Sequence, residues 1–175
     1  MKKLIATIVV VMLLAGCSGS GTPTDISDVR AELEASLSKL ALAIEREDPV
    51  LASQIASERF VMSDNIAVRY SDSGWSGTGI GSFRTFFDGV FTVHANISQT
   101  FELRDVEQVG DVATARVYNE LVSSRTDRTP PEGHIAAGWD WFIFERIGMN
   151  WLLILWEEAP APDEPEHEMG DGEDL

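Results

Sequence analysis

The first third of the chain carries apolar residues at intervals of three and four, the spacing of one face of an amphipathic helix. The first such stripe consists of Ile26, Val29, Leu33, Leu37, Leu40 and Ile44. Asp48 followed by Pro49 is typical of a helix N-terminus. It predicts a second, shorter helix that carries Leu51, Ile55 and Phe60.

A strand and a third helix are predicted next. Residues 65–71, NIAVRYS, alternate as a strand does, and the SDSG stretch at 71–74 turns the chain towards Trp75. Ser82 opens the third helix. Its apolar face is formed by Phe83, Phe86, Phe87, Val90 and Phe91.

After residue 95 the pattern changes to long strands. Four segments, at 97–109, 112–124, 135–147 and 151–158, are rich in β-branched and aromatic residues. The short breaks at 110–111 and 148–150 predict hairpins, and Pro130-Pro131 stays outside the ladder. Helices followed by such strands indicate an α+β fold with an antiparallel sheet over helices.

The order of elements resembles the nuclear transport factor 2-like superfamily, which includes ketosteroid isomerase and scytalone dehydratase. The closing hairpin and tryptophan, Gly148-Met149-Asn150-Trp151, are similar to the end of such domains. The resemblance implies helices packed in a strongly curved antiparallel sheet, a conical half-barrel with a pocket at its open end. Many members bind small apolar molecules, and several only dimerise or assist another domain. The alternative is another sheet-on-helix fold, such as a cystatin-like one, which would have fewer leading helices.

The N-terminus carries a targeting signal. Lys2 and Lys3 precede an apolar run, 4–15, whose helical length of about 18 Å is too short for a bilayer core of about 30 Å. Residues 1–16 therefore predict a signal peptide. The LLAGC sequence resembles the lipobox of bacterial lipoproteins, which implies that Cys17 is acylated and becomes the mature N-terminus. The alternative is a free or buried thiol behind an ordinary signal.

The flanking segments are predicted to be flexible. Residues 17–24 form a small-residue linker behind the lipidated cysteine. The absence of Asp at position 18 implies, by the same resemblance, the periplasmic face of the outer membrane. One domain spans 25–158, and 159–175 is an acidic tail; the nine acidic residues between Glu157 and Leu175, without Lys or Arg, predict disorder.

Composition excludes several partners. A net charge of −16 argues against nucleic acid or an anionic membrane surface, since both attract clustered Lys and Arg. One cysteine forms no intrachain disulfide. The three histidines, His94, His134 and His167, lack metal-site spacing, so neither a metal nor a cofactor is predicted.

Candidate chemistry comes from polar residues on apolar strand faces. Gln99, Asn119 and Asp140 each interrupt such a face. A buried polar group without a partner costs about 1–3 kcal/mol, so these three satisfy one another, bond to backbone or meet a ligand. His94 lies where a pocket rim is expected, although a capping or partly exposed histidine is the plainer interpretation.

Asp140 is also a weak catalytic candidate. Apolar neighbours would raise its pKa, and ketosteroid isomerase uses an Asp as a base in this fold. The competing interpretation is an ion pair with Arg116 or Arg146. No acid–base pair is identifiable from spacing, which favours a domain that binds without catalysis.

The last two strands are apolar on both faces. The helices pack against one face only, so the other face needs a partner, and a homodimer is the first prediction. The alternatives are that the acidic tail folds over this face or that another envelope protein binds it. Three functions follow: a lipoprotein domain that binds a small apolar ligand or a partner protein, an isomerase- or cyclase-like enzyme using Asp140, and a purely structural dimer.

Overall fold

A computed structural model describes residues 25–71, 74–75 and 77–162. The signal peptide, Cys17, the linker to residue 24, residues 72, 73 and 76, and the acidic tail from residue 163 lie outside the described residues. Within them, no helix is both long enough and apolar enough to cross a membrane.

The predicted helices are present. Helix α1, Ile26–Glu45, begins at Asp25, whose carboxylate accepts a hydrogen bond from the Ser27 N–H, and it buries most of the predicted stripe. Asp48 caps the short α2, Pro49–Ala52, and a 3₁₀ turn, Ser53–Ile55, follows it.

Helix α4 begins three residues earlier than predicted and spans Gly79–Val93. Its first residue has a φ of +77°, and a Cβ there would lie 2.5 Å from the Glu58 carbonyl oxygen. Only glycine fits both conditions at this position. Phe83, Phe87 and Val90 are buried, as the face predicted.

Two elements between α2 and α4 differ from the prediction. The stretch NIAVRYS is a helix, α3 (Asp64–Tyr70), rather than a strand. Its buried residues Ile66, Ala67 and Tyr70 have helical spacing, and the alternation seen in the sequence was coincidental. The second helix ends early, and Phe60 belongs to an unpredicted strand, β1 (Ala56–Met62).

Four long strands follow as predicted: β2 (His94–Val109), β3 (Val112–Arg125), β4 (Glu132–Ile147) and β5 (Asn150–Glu158). They pair antiparallel in sequence, through hairpins at the predicted positions. Strand β1 adds to the far edge, parallel to β5, giving the order β1-β5-β4-β3-β2. The five-stranded sheet curls over the helices, and the predicted α+β class is confirmed.

The core lies between the inner face of this sheet and the helices. It contains Leu33, Phe60, Phe87, Phe142 and Trp156, all buried. The inner face of β3 is narrow near its start, where the fully buried residues are Ala113 and Ala115. This space lets aromatic rings from the helices and from β4 and β5 fill the inside of the curl.

Candidate functional site

The three polar strand residues singled out in the sequence lie on the same inner face. Gln99, Asn119 and Asp140 come from β2, β3 and β4, and all three are buried. Asn119 pairs with Phe101 on one side and with Gly138 on the other, which brings it between Gln99 and Asp140. The three apolar faces are therefore one face.

Asp140 is the centre of a buried network. Arg69 Nη1 donates to Oδ1 at 2.8 Å, and the Trp156 indole N–H donates to Oδ2 at 2.7 Å. The Asn119 amide also donates to Oδ2. Its ion-pair partner is thus Arg69 on α3, and the predicted pairing with Arg116 or Arg146 is wrong.

Tyr70 joins the other two residues to this network. Its hydroxyl lies 2.9 Å from Asn119 Oδ1 and 3.4 Å from Gln99 Oε1. A hydroxyl has one proton to donate, and the shorter contact identifies Asn119 as its acceptor. The Gln99 amide nitrogen donates to two backbone carbonyls, those of Thr100 and Glu120.

Burial determines the ionisation of both acidic groups. It raises the pKa of the Asp140 carboxyl, and the hydrogen bond from Trp156 and the charge of Arg69 oppose that rise. Burial also raises the pKa of the Tyr70 phenol well above its usual value, so Tyr70 stays neutral. The three donors facing the Asp140 carboxyl favour its charged form and so oppose the effect of burial.

The sequence does not point to Arg69 and Tyr70, because the alternating pattern of their segment predicts a strand. The helical spacing of Ile66, Ala67 and Tyr70 was the signal that would have found them. On a helix, Arg69 and Tyr70 both reach the sheet. On the predicted strand, they would have pointed to opposite sides.

His94 is buried rather than partly exposed, and its backbone N–H caps the C-terminus of α4 through the Val90 carbonyl. Its Nε2 lies 2.9 Å from the Tyr70 carbonyl oxygen, which can only accept, so Nε2 carries the proton. Nδ1 therefore accepts from the Ser123 hydroxyl at 2.7 Å. The His134 ring lies beside it, with centroids 4.8 Å apart.

A cleft of about 500 Å³ opens beside α4, away from Asp140. Trp75, Phe86 and Val93 give it apolar walls, and Gly81 and Gly89 leave room above the helix. Hydroxyl groups and an ion pair complete the lining: Ser71, Ser82, Thr85, Arg125 and Asp127.

The predicted ligand-binding residues do not line this cleft. Asn119, Asp140 and His94 lie inside the curl, and Gln99 borders a separate open groove between α1 and β2. Their role in binding stays a prediction. In the described part of the chain, no three His, Cys, Asp or Glu side chains are grouped as metal ligands.

The outer face of the sheet carries half-buried aromatic rings. The Arg116 guanidinium stacks on Trp139 and Trp141, at 5.4 and 5.7 Å from the ring centroids, and Tyr118 packs against Trp139. Arg116 also donates to the Pro160 carbonyl, so the chain just after β5 contacts one margin of this face.

No protein-family model matches the sequence, and no curated protein matches it. Solved structures do. A superfamily protein from Salmonella enterica subsp. enterica serovar Typhimurium, named as nuclear transport factor 2-like, is 16% identical, with a TM-score of 0.62 over 85% of this chain and 99% of that one. The fold is nuclear transport factor 2-like.

Two proteins from Novosphingobium aromaticivorans have the same nuclear transport factor 2-like fold. A candidate scytalone dehydratase is 14% identical, with a TM-score of 0.61 over 80% of this chain and 89% of that one. A second protein, named as nuclear transport factor 2-like with a cystatin-like fold, is 14% identical, with a TM-score of 0.59 over 79% and 86% of the two chains. The two fold names considered from the sequence thus describe one architecture. At these identities the likeness establishes the fold alone.

Proposed function

We propose that this protein is a lipid-anchored domain of the bacterial cell envelope that binds a small, largely apolar, ring-bearing molecule in the cleft beside α4, without catalysis. One observation carries the proposal. The polar groups suited to chemistry are closed inside the curl and bonded to one another, whereas the cleft opens elsewhere among aromatic and hydroxyl side chains.

The cleft lining indicates the class of ligand. Trp75 and Phe86 meet edge to face, with centroids 5.9 Å apart, a wall suited to an aromatic or alicyclic ring. The hydroxyls of Ser82 and Thr85 lie on the adjacent turn of α4 and supply a few polar contacts. An apolar wall with polar side chains beside it, which can orient a ligand, is typical of small-molecule binding.

Native mass spectrometry of the protein from residue 22 onwards, purified gently, tests ligand binding. An added small mass is expected, and its identification names the ligand class. Gly89→Leu is designed to abolish that mass, because no atom lies within 4 Å of a Cβ at this position and the side chain would fill the cleft. Arg84→Leu, at an exposed position of the same helix outside the cleft lining, is the control and retains the mass. An added mass equally retained by Gly89→Leu would overturn the assignment of the cleft.

The anchor is a separate part of the proposal. Cys17 would carry the lipid and hold the domain at the periplasmic face of the outer membrane. Cell fractionation and intact mass measurement test this. Cys17→Ser is expected to lose both the acyl mass and the membrane association, and an unmodified thiol in the wild type would contradict it.

Proton-transfer chemistry at Asp140 is the second candidate. The elevated pKa of this buried carboxyl favours it, and so does the fold shared with a candidate scytalone dehydratase. Asp140→Asn separates the two functions. Loss of turnover in Asp140→Asn, with the fold shown intact by circular dichroism, would establish the enzyme. Ligand binding in the cleft without any turnover by the wild type supports the binding protein.

A further inference from the structure

Two hairpin tips lie side by side at one end of the sheet. The Arg146 N–H, near the β4–β5 tip, donates to the Asp111 carbonyl of the β2–β3 tip at 2.7 Å. Large apolar side chains stand exposed on both tips, and we call them the hairpin-tip patch. They are Val109 (64% exposed), Val112 (40%), Ile147 (50%) and Met149 (88%).

The N-terminus of α1 lies at the same end. Arg30, in its second turn, donates to the Arg104 carbonyl at 2.8 Å, and Glu32 accepts from the Trp151 indole at 2.7 Å. At the other end of α1, Glu45 accepts a hydrogen bond from the Gln99 N–H, which lies earlier in β2 than Arg104 and farther from the tips. The chain before Arg30, with Ile26 47% exposed, therefore starts beside the hairpin-tip patch.

The distance to the lipid is short. Seven residues, 18–24, separate Cys17 from Asp25, and a fully extended segment of that length spans at most about 25 Å. A tether attached at one end of the domain brings that end closest to the bilayer. The exposed apolar side chains are at that end.

We propose that the hairpin-tip patch rests in the interfacial region of the bilayer that holds the Cys17 lipid, an inference that depends on the proposed anchor. Apolar side chains at such a depth are removed from water, as on an interfacial helix. The net charge of −16 and Asp111 at the tip select an uncharged, zwitterionic lipid surface over an anionic one.

The only cysteine makes the experiment direct. The chain from Cys17 onwards is coupled through that thiol to a maleimide lipid in phosphatidylcholine vesicles, and amide hydrogen exchange is compared with that of the uncoupled protein beside the same vesicles. We expect exchange at 108–112 and 146–150 to slow by about tenfold, the effect of partly burying a few apolar side chains. Unchanged exchange at both tips would overturn the proposal.

Paired variants locate the contact. Ile147→Ser with Met149→Ser is expected to remove most of the protection. Val122→Ser with Ile135→Ser is the matched control, since these side chains are 40% and 68% exposed and pair at the opposite end of β3 and β4. Tip protection that persists in the Ile147→Ser, Met149→Ser variant would overturn the proposal. So would protection of the tips in the uncoupled protein that increases with protein concentration, because it would indicate contact with a second copy.

Failure of the anchor is distinguishable from failure of this proposal. The maleimide lipid supplies the attachment whether or not a cell acylates Cys17. Absent tip protection on these vesicles therefore bears on the patch alone, and the fate of Cys17→Ser in cells bears on the anchor alone.

Discussion

Asp140 joins three elements, because its carboxylate accepts from Arg69 on α3, Asn119 on β3 and Trp156 on β5. A buried charge is tolerated only when its lone pairs are occupied, and three donors accomplish that here. Asn119 in turn receives the Tyr70 hydroxyl, which removes another unsatisfied acceptor. The network accounts for polar residues on an otherwise apolar face without a ligand.

Asp140→Asn is expected to lower the free energy of unfolding by about 2–4 kcal/mol, because it leaves the Arg69 guanidinium without its buried counter-charge. Arg69 keeps a second acidic neighbour, Glu158 at 3.6 Å, which limits the loss. Urea denaturation followed by tryptophan fluorescence measures it. Asp105→Asn, which removes an exposed carboxylate 3.9 Å from Arg116, is the control and costs less than about 1 kcal/mol. Equal losses in the two variants would contradict a structural role for the Asp140 network.

At the scale of elements, His94 fastens three pieces together. It caps α4, its ring bonds to Ser123 on β3, and it holds the carbonyl at the end of α3. Burial lowers the pKa of His94, and the neighbouring His134 ring and Arg125 lower it further; the Tyr70 carbonyl and Asp127 oppose this. The lowered pKa favours the neutral ring, with Nε2–H towards Tyr70 and Nδ1 towards Ser123.

This arrangement predicts a pH-dependent stability. Because the folded pKa lies below the unfolded value of about 6.5, the stabilisation is complete above that value and is lost as pH falls through the folded pKa. The free energy of unfolding, measured between pH 5 and 8 in steps, is expected to fall on the acid side. His94→Gln keeps a donor near the Tyr70 carbonyl without titrating and should flatten that slope. Asp140, whose pKa is raised, contributes a stability that falls as pH rises, and it does so equally in the wild type and in His94→Gln. The difference between the pH profiles of these two proteins therefore reports on His94. A slope unchanged by His94→Gln would exclude this origin.

The helices and strands differ in how well the local sequence predicts them. Helix α1 has twenty residues and repeats its apolar spacing several times, so its period is unambiguous. Helix α3 has seven residues, too few for a helical period to be distinguished from alternation, and its identity depends on packing against β4 and β5. Strand β1 pairs parallel to a strand almost a hundred residues later, an interaction that no local pattern reports. For the same reason the sequence predicts only the strand residues of the Asp140 network, because Arg69 and Tyr70 belong to the short helix α3.

At the scale of the whole molecule, the aromatic outer face and the hairpin-tip patch belong to one continuous side of the sheet. Val112 and Ile147 lie on the same outer side as Arg116 and Trp141 by strand alternation. In an isologous dimer of two such faces with its twofold axis along the strands, both hairpin-tip patches point in the same direction. The proposed dimer and the proposed bilayer contact are therefore compatible, and each membrane-bound dimer would present two patches.

Ile143→Glu tests the dimer. Ile143 is half-buried on the outer face and lies opposite Leu155 in β5, so a carboxylate there would be desolvated by a facing sheet. Sedimentation velocity is expected to show a dimer at micromolar concentration for the wild type and a dissociation constant raised at least about tenfold for the variant. Val68→Glu, at an exposed position of α3, leaves the dimer intact. A monomeric wild type would contradict the dimer and leave the aromatic face to a different envelope protein.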